Sequence, residues 1–393
     1  MRTTGITARG IITPIFKEGD NLVEEITKSI CQAAQAEGFA VQDRDIVGVT
    51  EAVVARTQGN YATCDQIAAD IRAKFGSGTV GLVFPILSRN RFAILLKAIA
   101  QAVDELIIQF SYPSDEVGNA FLSWDILDEK GVDPYRDNFT LEEFRAKFGQ
   151  DTQHKFTGID YIEYYRSFGQ NIKIVFSNNP AYILNYTKKV LNCDIHTRKR
   201  TKSLLKQQGA ELVFGLDDIL TAPREGSGYN EYYGLLGSNK ATEDKVKLFP
   251  RQTQEFVNEL QNSILQTTGH KVEVLVYGDG CFKDPVGGIW ELADPVVSPA
   301  HTEGLKGTPN ELKMKYFADN ELSELTGEAL AAAMKDKIKA KDQDLVGNMD
   351  SQGTTPRQIT DLVGSLCDLV TGSGDRGTPV VLIKGYFTNY ASE

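Results

Sequence analysis

The sequence predicts a mixed α/β protein containing a doubly wound α/β region over residues 76–222, and three features carry that prediction. A chain of 393 residues is longer than one hydrophobic core usually organises, so two or more domains, or one domain with a large insertion, are expected. From Gly76 onward, apolar strand-like runs alternate with helical spacing. That is the pattern of βα units, which build a parallel sheet with helices on both faces. Further on, an apolar run from Val272 leads straight into Gly278-Asp279-Gly280. A carboxylate between two glycines at a strand end sits where backbone can approach a ligand closely and where a metal or polyphosphate could be held.

At the N-terminal end, residues 9–16 read as a short strand closed by the turn Lys17-Glu18-Gly19-Asp20, and residues 22–37 have helical spacing. The segment 45–59 begins as a buried-strand run, and its second half carries Arg56 and Gln58 toward the turn at Gly59. Within the α/β region, 79–87 and 106–110 read as strands around a helix over 91–103, and the alternation continues through 161–168, 172–176, 181–190 and 211–214. After Pro223 a flexible Arg-Glu-Gly-Ser-Gly stretch leads to a helix over 251–266 and a strand over 272–276. Residues 303–350 are polar and charged, with a helix over 322–340, and read as a lid or surface appendage. A helix over 355–370 and a strand over 380–383 close the chain.

Composition narrows the function. A formal net charge of −11 provides no basic excess to release counterions from phosphates, which argues against nucleic acid as the main partner. The one basic cluster, His196-Thr-Arg-Lys-Arg-Thr-Lys202, reads as a solvated helix start in preference to an anion contact. No apolar run approaches the roughly 18 residues that span a bilayer, and no apolar signal core follows the first residues, so a soluble cytoplasmic protein is expected. The five cysteines are scattered singly, as reduced thiols would be and unlike a disulfide frame or zinc site. Four histidines without metal spacing leave little room for histidine-based metal or triad chemistry.

Several loops could carry chemistry. Ser111-Tyr-Pro-Ser-Asp115 and Ser177-Asn-Asn-Pro180 follow strands, where such sheets bind ligands, yet the same residues also serve as helix caps. The acidic loop 124–138 lacks calcium-loop spacing and reads as a solvated turn. Gly372-Ser-Gly374-Asp-Arg-Gly377 fits G-x-G-x-x-G but follows a helix and precedes a strand, the reverse of the dinucleotide fingerprint. It is either a plain turn or a glycine-rich loop whose amides cradle phosphate oxygens, with Arg376 as a donor fork and Asp375 as a metal ligand. Gly237-Ser238-Asn239-Lys240 likewise suits anion or nucleotide contacts. No G-x-x-x-x-G-K-[ST] occurs, so any nucleotide site is not an ordinary P-loop.

In order along the chain, the blocks 14–22, 45–59, 233–239 leading to Phe249-Pro250, 272–282, and Asp361 through Gly385 together resemble the coenzyme F420 γ-glutamyl ligase family. The resemblance covers about residues 1–75 and 223–393. It implies an α+β ligase-like domain with mixed sheets, made from those two parts and interrupted by an inserted doubly wound α/β domain over 76–222. It also implies nucleotide contacts from the backbone of Ile12, Thr13, Pro14 and Ile15, from Glu51, Ala52, Arg56 and Asn239, and from the loop that holds Gly372, Gly374, Arg376 and Gly377, and a metal at Asp279; Ser238 and Lys240 are added to the nucleotide contacts by the reading of their own loop. Asp279, Arg56 and Arg376 become the candidate catalytic residues, and Asp375 a second metal ligand. Three positions depart from the family: Leu236 stands where a metal-binding Asp is usual, Arg56 where Lys is usual, and Ser373 where Glu is usual, with Asp375 nearby.

The function so implied is a nucleotide- and metal-dependent γ-glutamyl ligase acting through an acyl phosphate. GTP or ATP and Mg²⁺ or Mn²⁺ are the expected cofactors. L-glutamate and a small-molecule carboxylate acceptor are the expected partners, in a homodimer with its site near the subunit interface. A folate-type polyglutamate ligase, or a non-catalytic nucleotide- or metabolite-binding protein on the same scaffold, is the alternative.

Overall fold

The computed structural model of the protein describes residues 3–351, 357–371 and 375–392. It is a mixed α/β fold whose described strands form three sheets. The five-stranded sheet has the order Thr7–Ile11, Val380–Lys384, Ile46–Thr50, Glu273–Tyr277, Ala300–His301. Only its central pair, Ile46–Thr50 with Glu273–Tyr277, is parallel, in a register that sets Thr50 opposite Tyr277.

Alternation along these strands divides the sheet's side chains between two cores, as period-2 geometry requires. Val47, Val49, Val274, Val276, Val380 and Leu382 meet the helices Leu22–Glu37 and Thr253–Thr268 through Ile26, Ile30, Val257, Leu260 and Ile264. Ile46, Leu275, Tyr277, Val381 and Ile383 meet the helix Ile359–Thr371 through Ile359, Val363 and Cys367. Each such aliphatic side chain, taken fully out of water, contributes about 1.5–3 kcal/mol of transfer free energy. Leu22–Glu37 starts where Asn21 Oδ1 accepts the Glu24 N–H at 3.3 Å, and stops at Gly38, whose φ of 67° suits a residue without Cβ.

The six-stranded sheet has the order Phe139–Thr140, Ile172–Phe176, Glu105–Phe110, Thr79–Val83, Lys189–Asn192, Leu212–Gly215. Its neighbours are parallel except for the antiparallel edge strand Phe139–Thr140. That edge was not foreseen, and the acidic loop 124–138 expected to be a turn contains the helix Trp124–Lys130, capped by Ser123. The core of this sheet also takes in Ile67, Ile71 and Phe75 of the helix Cys64–Phe75, and Leu235, Leu236, Val246 and Leu248. A small third sheet, Asn239–Lys240, Lys245–Lys247 and Tyr61–Thr63, runs alongside.

Other differences from the sequence reading have local causes. The first strand ends at Ile11 because the chain then turns off the sheet through Pro14, which has no N–H to give a ladder. In 181–190 a 3₁₀ turn, Pro180–Asn185, precedes the strand Lys189–Asn192, and the helix expected over 322–340 begins only at Gly327. The basic cluster does open a helix, Arg198–Gln207, with Lys202 held at 2.9 Å from Asp217 and 3.0 Å from Asp218. No helix among the described residues is long and apolar enough to cross a membrane.

Candidate active site

Strand register brings four chain segments to one edge of the five-stranded sheet. Thr50 and Tyr277 end the parallel pair side by side, and Val380, which opens its strand, lies opposite both Ile11 and Val49. The residues that follow Ile11, Thr50 and Tyr277, and those that precede Val380, must therefore meet beyond that edge. Thr13 N–H donates to Gly377 O at 3.2 Å, and Thr50 N–H to Pro379 O at 3.0 Å. Carboxyl ends of parallel strands are where open α/β sheets bind ligands.

A cleft of about 400 Å³ lies there, lined among others by Thr13, Pro14, Ile15, Ala52, Arg56, Asp368, Arg376 and Gly377. Its cations are available: among the described residues neither Arg56 nor Arg376 forms an ion pair, and Arg376 Nη1 donates only to Val370 O at 3.1 Å. Beside it Ile12 and Ile15 are 75% and 84% exposed, apolar side chains left open. The helix Ile359–Thr371 contributes Asp368, which accepts the Gly280 N–H at 2.9 Å and whose carboxyl burial pushes upward.

Asp279, next to this cleft, is held by protein groups. Arg91 Nη2 donates to both of its oxygens, at 2.7 and 2.8 Å, and Ala293 N–H adds a bond to Oδ2 at 2.9 Å. Arg91 Nη1 reaches Asp294 Oδ1 at 2.6 Å, while Asp279 N–H donates to Asp294 Oδ2 at 2.8 Å. Burial, and then the Asp294 charge, raise the Asp279 carboxyl, with Arg91 opposing them. Burial works against the Arg91 charge, but Asp294 and Asp279 outweigh it and keep the guanidinium above its ordinary value. The two glycines around Asp279 make room for carboxylates: a Cβ on Gly278 would collide with Asp294 Oδ2, and one on Gly280 would stand 3.1 Å from Asp368 Oδ2.

Glu51 is buried behind the cleft, its oxygens 2.8 and 2.9 Å from Lys247 Nζ; burial raises its carboxyl and Lys247 opposes the rise. Ser238 is buried, and its Oγ has no hydrogen-bond partner among the described residues. Asn239 and Lys240 form an edge strand, and Lys240 Nζ is 2.5 Å from Glu243. Asp375 is exposed. Gly372, Ser373 and Gly374 lie outside the described residues.

A protein-held divalent ion does not fit at Asp279. All four oxygens of Asp279 and Asp294 already accept hydrogen bonds, whereas Mg²⁺ or Mn²⁺ needs several oxygens turned toward one point. Leu236, buried in a small apolar space that Arg91 and Ala293 also line, offers no donor. Sequence reasoning missed Arg91, Asp294, Asp368 and Lys247. A local signal existed for Arg91: a cation at the start of the helix Phe92–Ala102 is electrostatically misplaced unless something specific holds it.

A second cleft, of about 530 Å³, lies along the loop that leaves Asp279. Trp124, Phe156 and Trp290 line it together with Lys155, Lys283, Asp115 and Glu116. Trp290 N–H donates to Val117 O at 2.8 Å, tying that loop to the 113–120 turn.

A mixed α/β fold with an arginine-bearing cleft at its strand ends defines a class of protein able to bind an anionic ligand there. The chain belongs to the family described as F420-0:Gamma-glutamyl ligase, whose family model matches residues 10–385, nearly its whole length. None of the curated proteins matches it.

Proposed function

We propose that the protein is a nucleotide-dependent γ-glutamyl ligase that joins the amino group of glutamate to a carboxylate through an acyl phosphate. The observation that carries this reading is the cleft of Thr13 to Ile15, Ala52, Arg56, Arg376 and Gly377: two arginines free of ion pairs among the described residues, set at strand ends in a chain of this ligase family. GTP or ATP would supply the phosphoryl group, leaving as the diphosphate when an acceptor carboxylate oxygen takes the γ-phosphorus. Arg56 and Arg376 would hold the phosphates as donor forks, since such transfer depends mainly on positioning and charge neutralisation. The amine then displaces phosphate from the acyl carbon. Asp368, with its raised carboxyl at the cleft wall, is suited to take the proton the amine gives up.

Exposed Ile12 and Ile15 would pack on the nucleoside. The aromatic and ammonium lining of the second cleft suits a planar, anionic acceptor such as F420-0. The same reading takes residues 76–222 as an insertion between 1–75 and 223–393, supported by the confinement of the six-stranded sheet to 79–215. It assigns no step to a metal at Asp279.

The direct test is phosphate release from GTP or ATP with glutamate and a panel of carboxylate acceptors. Release that needs both glutamate and one acceptor supports the ligase. Nucleotide binding without acceptor-dependent release across the panel would move the protein to a non-catalytic binding role, which the capture of Asp279 by Arg91 favours as the second reading.

A further inference from the structure

We propose that Arg91 is the resident cation of this site and takes, at Asp279, the place in the charge balance that a divalent metal was expected to fill. The inference goes beyond the ligase reading, because the ion set is the same whichever nucleotide or acceptor the cleft receives.

Arg91 makes the contacts of a ligated cation. Its fork spans two carboxylates at 2.6 to 2.8 Å, three bonds in all, from a side chain only 18% exposed. The remaining donors to those carboxylates are the backbone N–H groups of Asp279 and Ala293. A metal entering here would have to displace the guanidinium from both carboxylates, beside a small space lined by Leu235 and Leu236 that offers no counter-charge.

The backbone is shaped for the same arrangement. Gly278 lets Asp294 close onto the strand end, so that Asp294 both caps the Asp279 N–H and meets Arg91 Nη1. Arg91 itself opens the helix Phe92–Ala102, where the helix dipole disfavours a cation. Two carboxylates offset that penalty, and they lie 188 and 203 residues further along the chain. Arg91 thus ties the six-stranded-sheet region to the edge of the five-stranded sheet.

The test titrates nucleotide-free protein with Mn²⁺ alone and follows free Mn²⁺ by electron paramagnetic resonance. Because neither nucleotide nor acceptor is present, its outcome is separable from that of the ligase assay. Wild type and Asp279→Asn are expected to give the same weak binding isotherm. Arg91→Ala, which leaves two facing carboxylates uncompensated, is expected to bind Mn²⁺ at least about tenfold more tightly and to gain melting temperature when Mn²⁺ is added. Arg91→Lys, which keeps the charge, should remain like wild type. Stoichiometric Mn²⁺ binding by wild type that Asp279→Asn abolishes would overturn the proposal. So would a folded Arg91→Ala protein with no gain in affinity. If Arg91→Ala does not fold, the comparison of wild type with Asp279→Asn decides the question alone.

Discussion

Arg56 and Arg376 come from distant parts of the sequence, and both line the cleft. Arg56→Ala is expected to weaken nucleotide affinity about 10- to 100-fold, the worth of about 1.5–3 kcal/mol for charged hydrogen bonds, as isothermal titration would show. Asp368→Asn keeps the oxygen that accepts the Gly280 N–H but cannot take a proton. It should lower kcat about a hundredfold or more while leaving nucleotide affinity unchanged. Asp368 was hidden in the sequence because it is one of two acids, with Asp361, on a largely apolar helix. Away from the cleft, Glu116 accepts N–H bonds from Ile195 and His196, and burial pushes its carboxyl up to about 7. A raised carboxyl holds its proton more tightly in the folded chain, so its contribution to stability is full below the ordinary value of 4.5 and is lost as pH rises to about 7. The melting temperature of wild type minus that of Glu116→Gln should therefore fall across that window, and a difference independent of pH would contradict the assignment.

At the scale of elements, the longer strands of the two large sheets and the helix Leu22–Glu37 were legible because their patterning is strong, and the parallel pair is defined by two apolar runs, Ile46–Thr50 and Glu273–Tyr277; the two- and three-residue strands were not. Register was not legible, and register is what makes the site. Nothing local in Thr50 or Tyr277 says that they stand opposite each other. The same limit hid Arg91, since no pattern within a window of sequence can join residues some 190 positions apart. Nor does the residue type of Lys240 announce that its ammonium meets Glu243 beside a short edge strand. Packing between sheet and helix gives a stability test. A Cβ on Gly48 would collide with Cys367 Sγ of the helix Ile359–Thr371. Gly48→Ala should cost about 1–3 kcal/mol in denaturant unfolding, and adding Cys367→Ala should recover part of that loss. A double variant no more stable than the sum of two independent penalties would show that the two residues do not share this contact.

Across the whole molecule, two large sheets converge on one ion set. Asp279 and Asp294 follow a strand of the five-stranded sheet, and Arg91 follows one of the six-stranded sheet. The βα alternation that built the second sheet was plain in the sequence, but its core reaches into the helix Cys64–Phe75 and to Leu248, beyond the stretch where the alternation was read. Side chains from distant segments complete that core, and a pattern confined to neighbouring residues cannot report them. What the molecule offers a ligand is a cleft with two unpaired arginines among its described residues, beside a carboxylate pair already bridged by Arg91. The most direct measurement is a crystal structure with a non-hydrolysable GTP analogue. The triphosphate is expected between Arg56 and Arg376, with Arg91 still on Asp279 and Asp294; a triphosphate bound elsewhere, such as the cleft of Trp124 and Trp290, would contradict the assignment of this site.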